Sequence, residues 1–519
     1  MASDFVAEPA RRNPPFKPSP AMQPCGIRSD TLRPMMPETT SKKPRLSLFV
    51  LAMMNTAVVV GLEGLPEVGS FGLPLIVYYA FFTVCFFLPV GLVAAELGVG
   101  WPHDGGVYRW IREALGERWA FVGIWCQWVQ ILVWYPTVLA VCAVSLSYAI
   151  DPGLHDVGWF KVVVALAIFW GATLVNFRGL KISGWLTTAL LYLGTLLPVV
   201  LAIGLAAWWL GSGKPSAISL QWSDVVPRID SIGEVVGVCA IFSFLSGLEV
   251  NSVHFKHVRN PQRSIPLSLL FSGILVLGIS VMGALSVAVL VPVGEIDLAA
   301  GALQVFSTIL DPMGLGWAVM VLAFLALAGM IGHIMVWVIG PTESLRVAAE
   351  DGLIPPMFQR TTSEGAPRNV MLLQAIVVTC LCISMMFFDL NQIFYFLTIS
   401  SAQVYLVMYI LMFISVIVLR IKKPTVPRAF VIPGGMPGLL LVAGGGALTA
   451  LLGIVVMFWP PSTADMAMNG SSFTVVLMAA FVGIIALPLV LYVFRNPAWK
   501  DRPGLPPAES RQGGWKRGD

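Results

Sequence analysis

The sequence predicts an all-α integral membrane protein of about 12 transmembrane helices, because apolar runs of bilayer-spanning length recur along nearly all of it. Of its 519 residues, 57% are hydrophobic and 12% charged, against roughly 25% charged in an ordinary soluble domain. No run shows strand-like alternation, and lipid offers no partners to backbone N–H and C=O groups, so helices are the spanning element. The spans fall near 46–70, 73–98, 119–149, 159–177, 184–210, 233–255, 265–291, 315–344, 369–388, 391–419, 437–459 and 473–494. With the N-terminus inside, all but Lys161, Lys214 and Arg228 of the 32 Lys and Arg residues fall on one side. Cytoplasmic loops are enriched in these residues. The expected location is therefore a cell inner or plasma membrane, with both termini cytoplasmic.

The formal charge of +4 then reports topology, and no nucleic-acid partner follows from it. Residues 1–45 are polar and carry nine prolines, which predicts a disordered cytoplasmic tail. Residues 46–495 are expected to form the transmembrane domain and 496–519 a short cytoplasmic C-tail. Of seven cysteines, Cys25 lies in the tail and Cys85, Cys126, Cys142, Cys239, Cys380 and Cys382 in helices. Cys380 and Cys382 are two apart and point to different helix faces, so neither a disulfide framework nor a metal site is expected.

The first span is interrupted at VVVGLEGLPEVGSFG, residues 58–72. Pro66 has no N–H for the carbonyl of Leu62, while Gly61 and Gly64 make departures from helical geometry inexpensive. Unwound backbone at mid-membrane is tolerated only beside protein or a watery cavity. A carboxylate there costs about 2.5–3.5 kcal/mol on insertion scales, so Glu63 is expected to face a pathway or a partner. Glu67 lies past the break, where interfacial water would suffice to hold it. A second interruption occurs in the sixth span at FSFLSGLEVNSVHF, residues 242–255, where Ser243, Ser246, Gly247 and Ser252 surround Glu249. Breaks in the first and sixth helices, which start from opposite sides, predict a 5+5 inverted repeat with substrate at the midplane. The unwound backbone groups are expected to be completed by a bound solute or proton.

Val60, Gly61, Glu63, Gly64, Ser243, Ser246, Gly247 and Glu249 are therefore the candidate substrate-binding residues. A buried acid favours a cation, so Glu63, with Glu249, is expected to hold an amine; either acid is alternatively a proton carrier. Trp125, Trp128, Trp134 and Tyr135 offer stacking surfaces for an amine, and Trp134, Tyr395 and Tyr405 are gating candidates. Tyr409 shares the tenth span with the two tyrosines. His103, His155, His254 and His257 read as interfacial. GSGKPS at 211–216 lacks the P-loop spacing, which argues against ATP-driven pumping and for exchange or proton symport. No H-E-x-x-H or G-x-S-x-G signature supports an enzyme, and no cofactor is implied. A channel is the reading from another class, since broken helices also line pores.

Four segments resemble the amino acid-polyamine-organocation superfamily, and within it the bacterial glutamate/GABA antiporter branch. They are FFLPVGLVAAELGVGWPHDGGVYRWIREALGERWAF (86–121), GLEVNSVHFKHVRNPQRSIPLSLL (247–270), GPTESLRVAAEDGLIPPMF (340–358) and RAFVIPGG (428–435). The resemblance implies a leucine-transporter-like fold, with two helices beyond the 5+5 repeat, that works by alternating access. It implies substrate contacts from 59–67 and 243–252, with Glu249 as the acid of the sixth helix. His333 falls where that branch has an acidic residue in the eighth helix, and joins Glu63 and Glu249 as a proton-coupling candidate. Glu96 matches a carboxylate at the end of the second helix, for which a structural role is expected. Where the superfamily often has Gly-Ser-Gly, this chain has Val59, Val60 and Gly61; where the branch has aromatic residues, it has Glu63 and Leu65. The expected activity is therefore secondary transport of amino acids or amines, leaning to cationic substrates such as polyamines. Glutamate/GABA exchange is the alternative.

Overall fold

The computed structural model describes residues 46–500 apart from 103–104, 152, 155–156, 179, 298–299, 385–389 and 462–469; the side chains of 180–185, 256 and 390–395 are also left out. The expected tail at 1–45, residues 501–519, His103, His155 and the side chain of Tyr395 thus lie outside the described residues. The first span holds α1 (Leu48–Val59) and α2 (Leu65–Gly69). Then come α3 (Leu75–Gly100), α4 (Val107–Leu115), α5 (Glu117–Ile150), α6 (Gly158–Phe177) and α7 (Leu186–Gly211). The sixth span is α8 (Ile232–Phe244) followed by a 3-10 segment, Val250–His257. The remainder is α9 (Pro261–Leu290), α10 (Gly301–Leu310), α11 (Gly316–Glu350), α12 (Arg368–Ser384), α13 (Leu390–Lys422), α14 (Gly435–Val456) and α15 (Gly470–Val493). Nine of these helices are long and apolar enough to cross a membrane, and the shorter α1, α8 and α12 fall in the other expected spans.

Local chemistry sets the interruptions. Ser47 caps α1 by accepting from the Val50 N–H at 3.3 Å, and the helix stops at Val59, before the Gly61-to-Pro66 stretch. Ser231 caps α8 in the same way through Glu234 N; that helix ends ahead of Gly247, whose φ of 110° suits a residue without Cβ. In α3 and in the fifth span, a π turn at Thr83–Phe87 and at Tyr192–Leu196 immediately precedes Pro89 and Pro198. Each extra residue in the turn relieves the proline ring's clash with the carbonyl four residues back.

The long α5 is the most enclosed spanning helix and packs along α11 and α13, while α1 lies against α9. Helices α7 and α11 meet backbone to backbone. A Cβ on Gly194 would stand 2.1 Å from Gly329 N, and one on Gly329 2.3 Å from the Gly194 carbonyl carbon. Small residues of this kind let membrane helices approach closely. Gly329→Val is expected to cost about 1–3 kcal/mol as overpacking, read as a lower thermal midpoint in detergent. Gly204→Ala, facing open space, should stay near the native midpoint.

On the arginine-rich side, Glu96 of α3 is fully buried. It pairs with Arg420, lies 3.2 Å from Arg428 Nη1 and accepts from Ile432 N at 2.9 Å. Beside it, Asp351 accepts from Tyr108 Oη of α4 at 2.6 Å and lies 3.3 Å from Arg112 Nε. Burial beside this carboxylate pushes the Tyr108 hydroxyl well above its ordinary value. The two interrupted spans are also tied together. Leu46 N donates to His257 O and Arg259 N to Leu46 O, both at 2.9 Å, and Asn251 Nδ2 reaches Asn55 Oδ1 at 3.0 Å.

Candidate functional site

The break in the first span frees the carbonyl of Val58, which a continuous helix would give to the N–H four residues on. Two side chains of α11, one turn apart, take it instead: Trp337 Nε1 donates at 3.2 Å and His333 Nε2 lies at 2.9 Å. Trp337 Nε1 is also 3.0 Å from His333 Nε2. The imidazole therefore accepts from Trp337 when Nε2 is bare and donates to Val58 when Nε2 carries a proton. On its other side, His333 Nδ1 lies 3.1 Å from Glu63 Oε1. This contact is an ion pair when His333 is protonated, and among the described residues Glu63 Oε2 has no hydrogen-bond partner. The Glu63 carboxylate folds over Gly61, where a Cβ would stand 2.3 Å from Oε1. A side chain at this position would push the carboxylate aside.

The second break is filled similarly. Gly247 N donates to Tyr409 Oη at 2.8 Å. Tyr409 in turn donates to Glu249 Oε2 at 2.8 Å, Tyr405 Oη donates to Oε1 at 2.5 Å, and Gln127 Nε2 adds a bond at 3.3 Å. Glu249 is fully buried, and hydrogen bonds to a charged group, each contributing about 1.5–3 kcal/mol, offset that burial. The expectation that a solute must complete the unwound backbone is corrected at these two groups: side chains of α11 and α13 already do so.

Between the breaks lies a cavity of ≈ 70 Å³ whose wall includes Gly61, Glu63, Gly64, Ser243 and Ser246, together with Trp134, His333 and Tyr405. Three candidates stand elsewhere. Val60 lines a separate cavity of ≈ 370 Å³, and Gly247 and Glu249 lie outside the wall, with Glu249 bonded to Tyr405. Among the aromatic residues of α5 named from the sequence, Trp134 alone reaches the cavity. Trp337 and Gln130 were missed, and Glu67 entered only through the 59–67 stretch. Trp337 follows His333 by four residues, a spacing visible in the sequence; Glu67 lines the wall rather than facing interfacial water alone. Among the described residues, the lining contains two carboxylates and one histidine, and neither Lys nor Arg.

Two broken spans closing on a polar cavity inside an apolar helical bundle define a membrane transporter. The family model described as amino acid permease matches residues 46–487, and the chain belongs to that family. It is 36% identical over 421 residues to an uncharacterised transporter of Legionella pneumophila, covering 81% of this chain and 90% of the relative. A glutamate/gamma-aminobutyrate antiporter of Lactococcus lactis subsp. lactis is 30% identical over 465 residues, 88% and 92% of the two chains. A probable agmatine/putrescine antiporter of the same organism is 25% identical over 399 residues, 76% and 83%. The protein is thus an integral, multi-pass secondary transporter of amino acids or amines.

Proposed function

We propose that the transported solute is an amine or cationic amino acid, held by Glu63 in the cavity that Trp134 and Trp337 also line. One observation carries this reading: the cavity wall holds two carboxylates without a single Lys or Arg. An anionic solute would meet like charge from two carboxylates, with only His333 beside Glu63 to offset it, which costs several kcal/mol, whereas an ammonium group is attracted by both acids and gains aromatic faces. A proton on His333 competes with that ammonium for Glu63, which supports proton-coupled exchange. Glu249, bonded to α5 and α13, is the second proton-coupling candidate. Tyr405 and Trp134 line the cavity, which supports them as gating candidates. The basic loops support a cytoplasmic position for both termini in a cell inner or plasma membrane.

Likeness to the glutamate/gamma-aminobutyrate antiporter carries the second reading, exchange of an acidic amino acid. Counterflow in proteoliposomes loaded with each of putrescine, agmatine, arginine, GABA and glutamate separates the two. Saturable counterflow of the amines and arginine, with none for glutamate, is expected. Glutamate exchange without amine exchange would sink the proposal, and leak without counterflow would indicate a pore.

A further inference from the structure

We infer that Glu67 is a second cation subsite and that the cavity selects dications, α,ω-diamines or guanidino-amines, over monoamines and over amino acids that keep a carboxylate. The inference rests on the amine reading above.

Glu67 and Glu63 stand four residues apart on either side of the Gly64-to-Pro66 turn, and both line the cavity. Glu67 also lines a smaller cavity of ≈ 20 Å³ with Val236, Ala240, Thr398 and Ala402. It is half-buried. Glu63 has His333 beside it; no described ion pair or side-chain hydrogen bond reaches the Glu67 carboxylate, and its neighbours Tyr79 and Ser280 bring hydroxyls rather than charge.

A second, independent observation points to a donor-rich ligand. Gln130 lines the same cavity and is 7% exposed. Its Nε2 donates to Ser401 Oγ at 3.2 Å, and Ser401 Oγ spends its own proton on the Gln130 carbonyl at 3.3 Å. Ser401 can then only accept from the amide, which fixes the amide orientation and leaves Gln130 Oε1 as a buried acceptor without a donor. Glu63 Oε2 is in the same condition. Leaving buried acceptors unsatisfied is costly, and both carboxylates stand on the wall of one cavity. A ligand with one ammonium answers Glu63 and leaves Glu67 uncompensated. A ligand with a cation at each end answers both, and Gln130 stands on the same wall to accept from its N–H groups. Arginine brings its carboxylate into the same space and is penalised where its decarboxylated counterpart is not.

The test compares putrescine, butylamine, agmatine and arginine as substrates of the full-length transporter in proteoliposomes. In Glu67→Gln, the putrescine-to-butylamine ratio of kcat/KM is expected to fall about tenfold or more, the equivalent of losing one partly buried charge contact. The agmatine-to-arginine ratio should fall with it. Glu67→Asp keeps the charge but shortens its reach, so it should restore diamine preference while shifting it from putrescine toward cadaverine. Equal losses for putrescine and butylamine in Glu67→Gln, or unchanged ratios, would overturn the subsite and leave the amine reading standing. Failure of the unaltered protein to carry any amine would overturn both.

Discussion

On the proposed amine reading, Glu63→Gln is expected to abolish uptake of cationic amines while leaving the protein folded. The carboxamide is nearly isosteric with the carboxylate, and Gly61 keeps the space it occupies. What disappears is the charge that an ammonium group meets. Truncating one partner of a buried, charged contact costs about 2–5 kcal/mol, which is at least about a thirtyfold loss in kcat/KM. His333 loses its anionic neighbour at the same time, so any proton dependence of transport that arises from their contact should flatten. Initial uptake of labelled putrescine and arginine, taken with the elution profile of the purified variant, checks the expectation. Uptake of either at the native rate would remove Glu63 from the binding site.

Glu96→Ala acts on stability rather than on selectivity. The Glu96 side chain is 1% exposed, Arg428 5% and Arg420 14%, so its removal strands two guanidinium groups and the Ile432 N–H in a place water reaches poorly. Breaking a buried pair from one side costs about 3–5 kcal/mol. Arg428 retains the carbonyls of Leu419 and Lys423, at 3.1 and 2.8 Å, and Trp101, whose ring centroid lies 5.0 Å away. Arg420 has less to fall back on. Thermal unfolding in detergent should show the largest drop among the variants discussed. Glu96→Ala combined with Arg420→Ala should recover part of it, because the stranded charge is gone. A native midpoint for Glu96→Ala would show that these groups are solvated.

What the sequence made legible was local in origin. Pro66, Gly61 and Gly247 act on their own few residues of backbone, so both breaks could be placed before any packing was known. Glu63, an acid inside an apolar run, announced a cavity by its cost alone. The partners of Glu249 were out of reach, because Gln127, Tyr405 and Tyr409 come from two other spans. Nothing in the chain's periodicity says which face of α13 turns toward α8. The same limit hid Gln130, whose unsatisfied oxygen is a consequence of how Ser401 spends its hydroxyl. Val60 and Glu249 were grouped with the cavity because they neighbour the breaks. A break turns the chain, and residues one or two positions apart then face different spaces.

The tie between the interrupted spans bears on how such a carrier moves. Leu46 and Asn55 tie α1 to the segment after Gly247, so the two should move as one lever rather than as separate flaps. Its stroke past α11 and α13 must unhook Val58 from Trp337 and Glu249 from the tyrosines. The motion should therefore proceed as a click between two registers, not as a gradual bend.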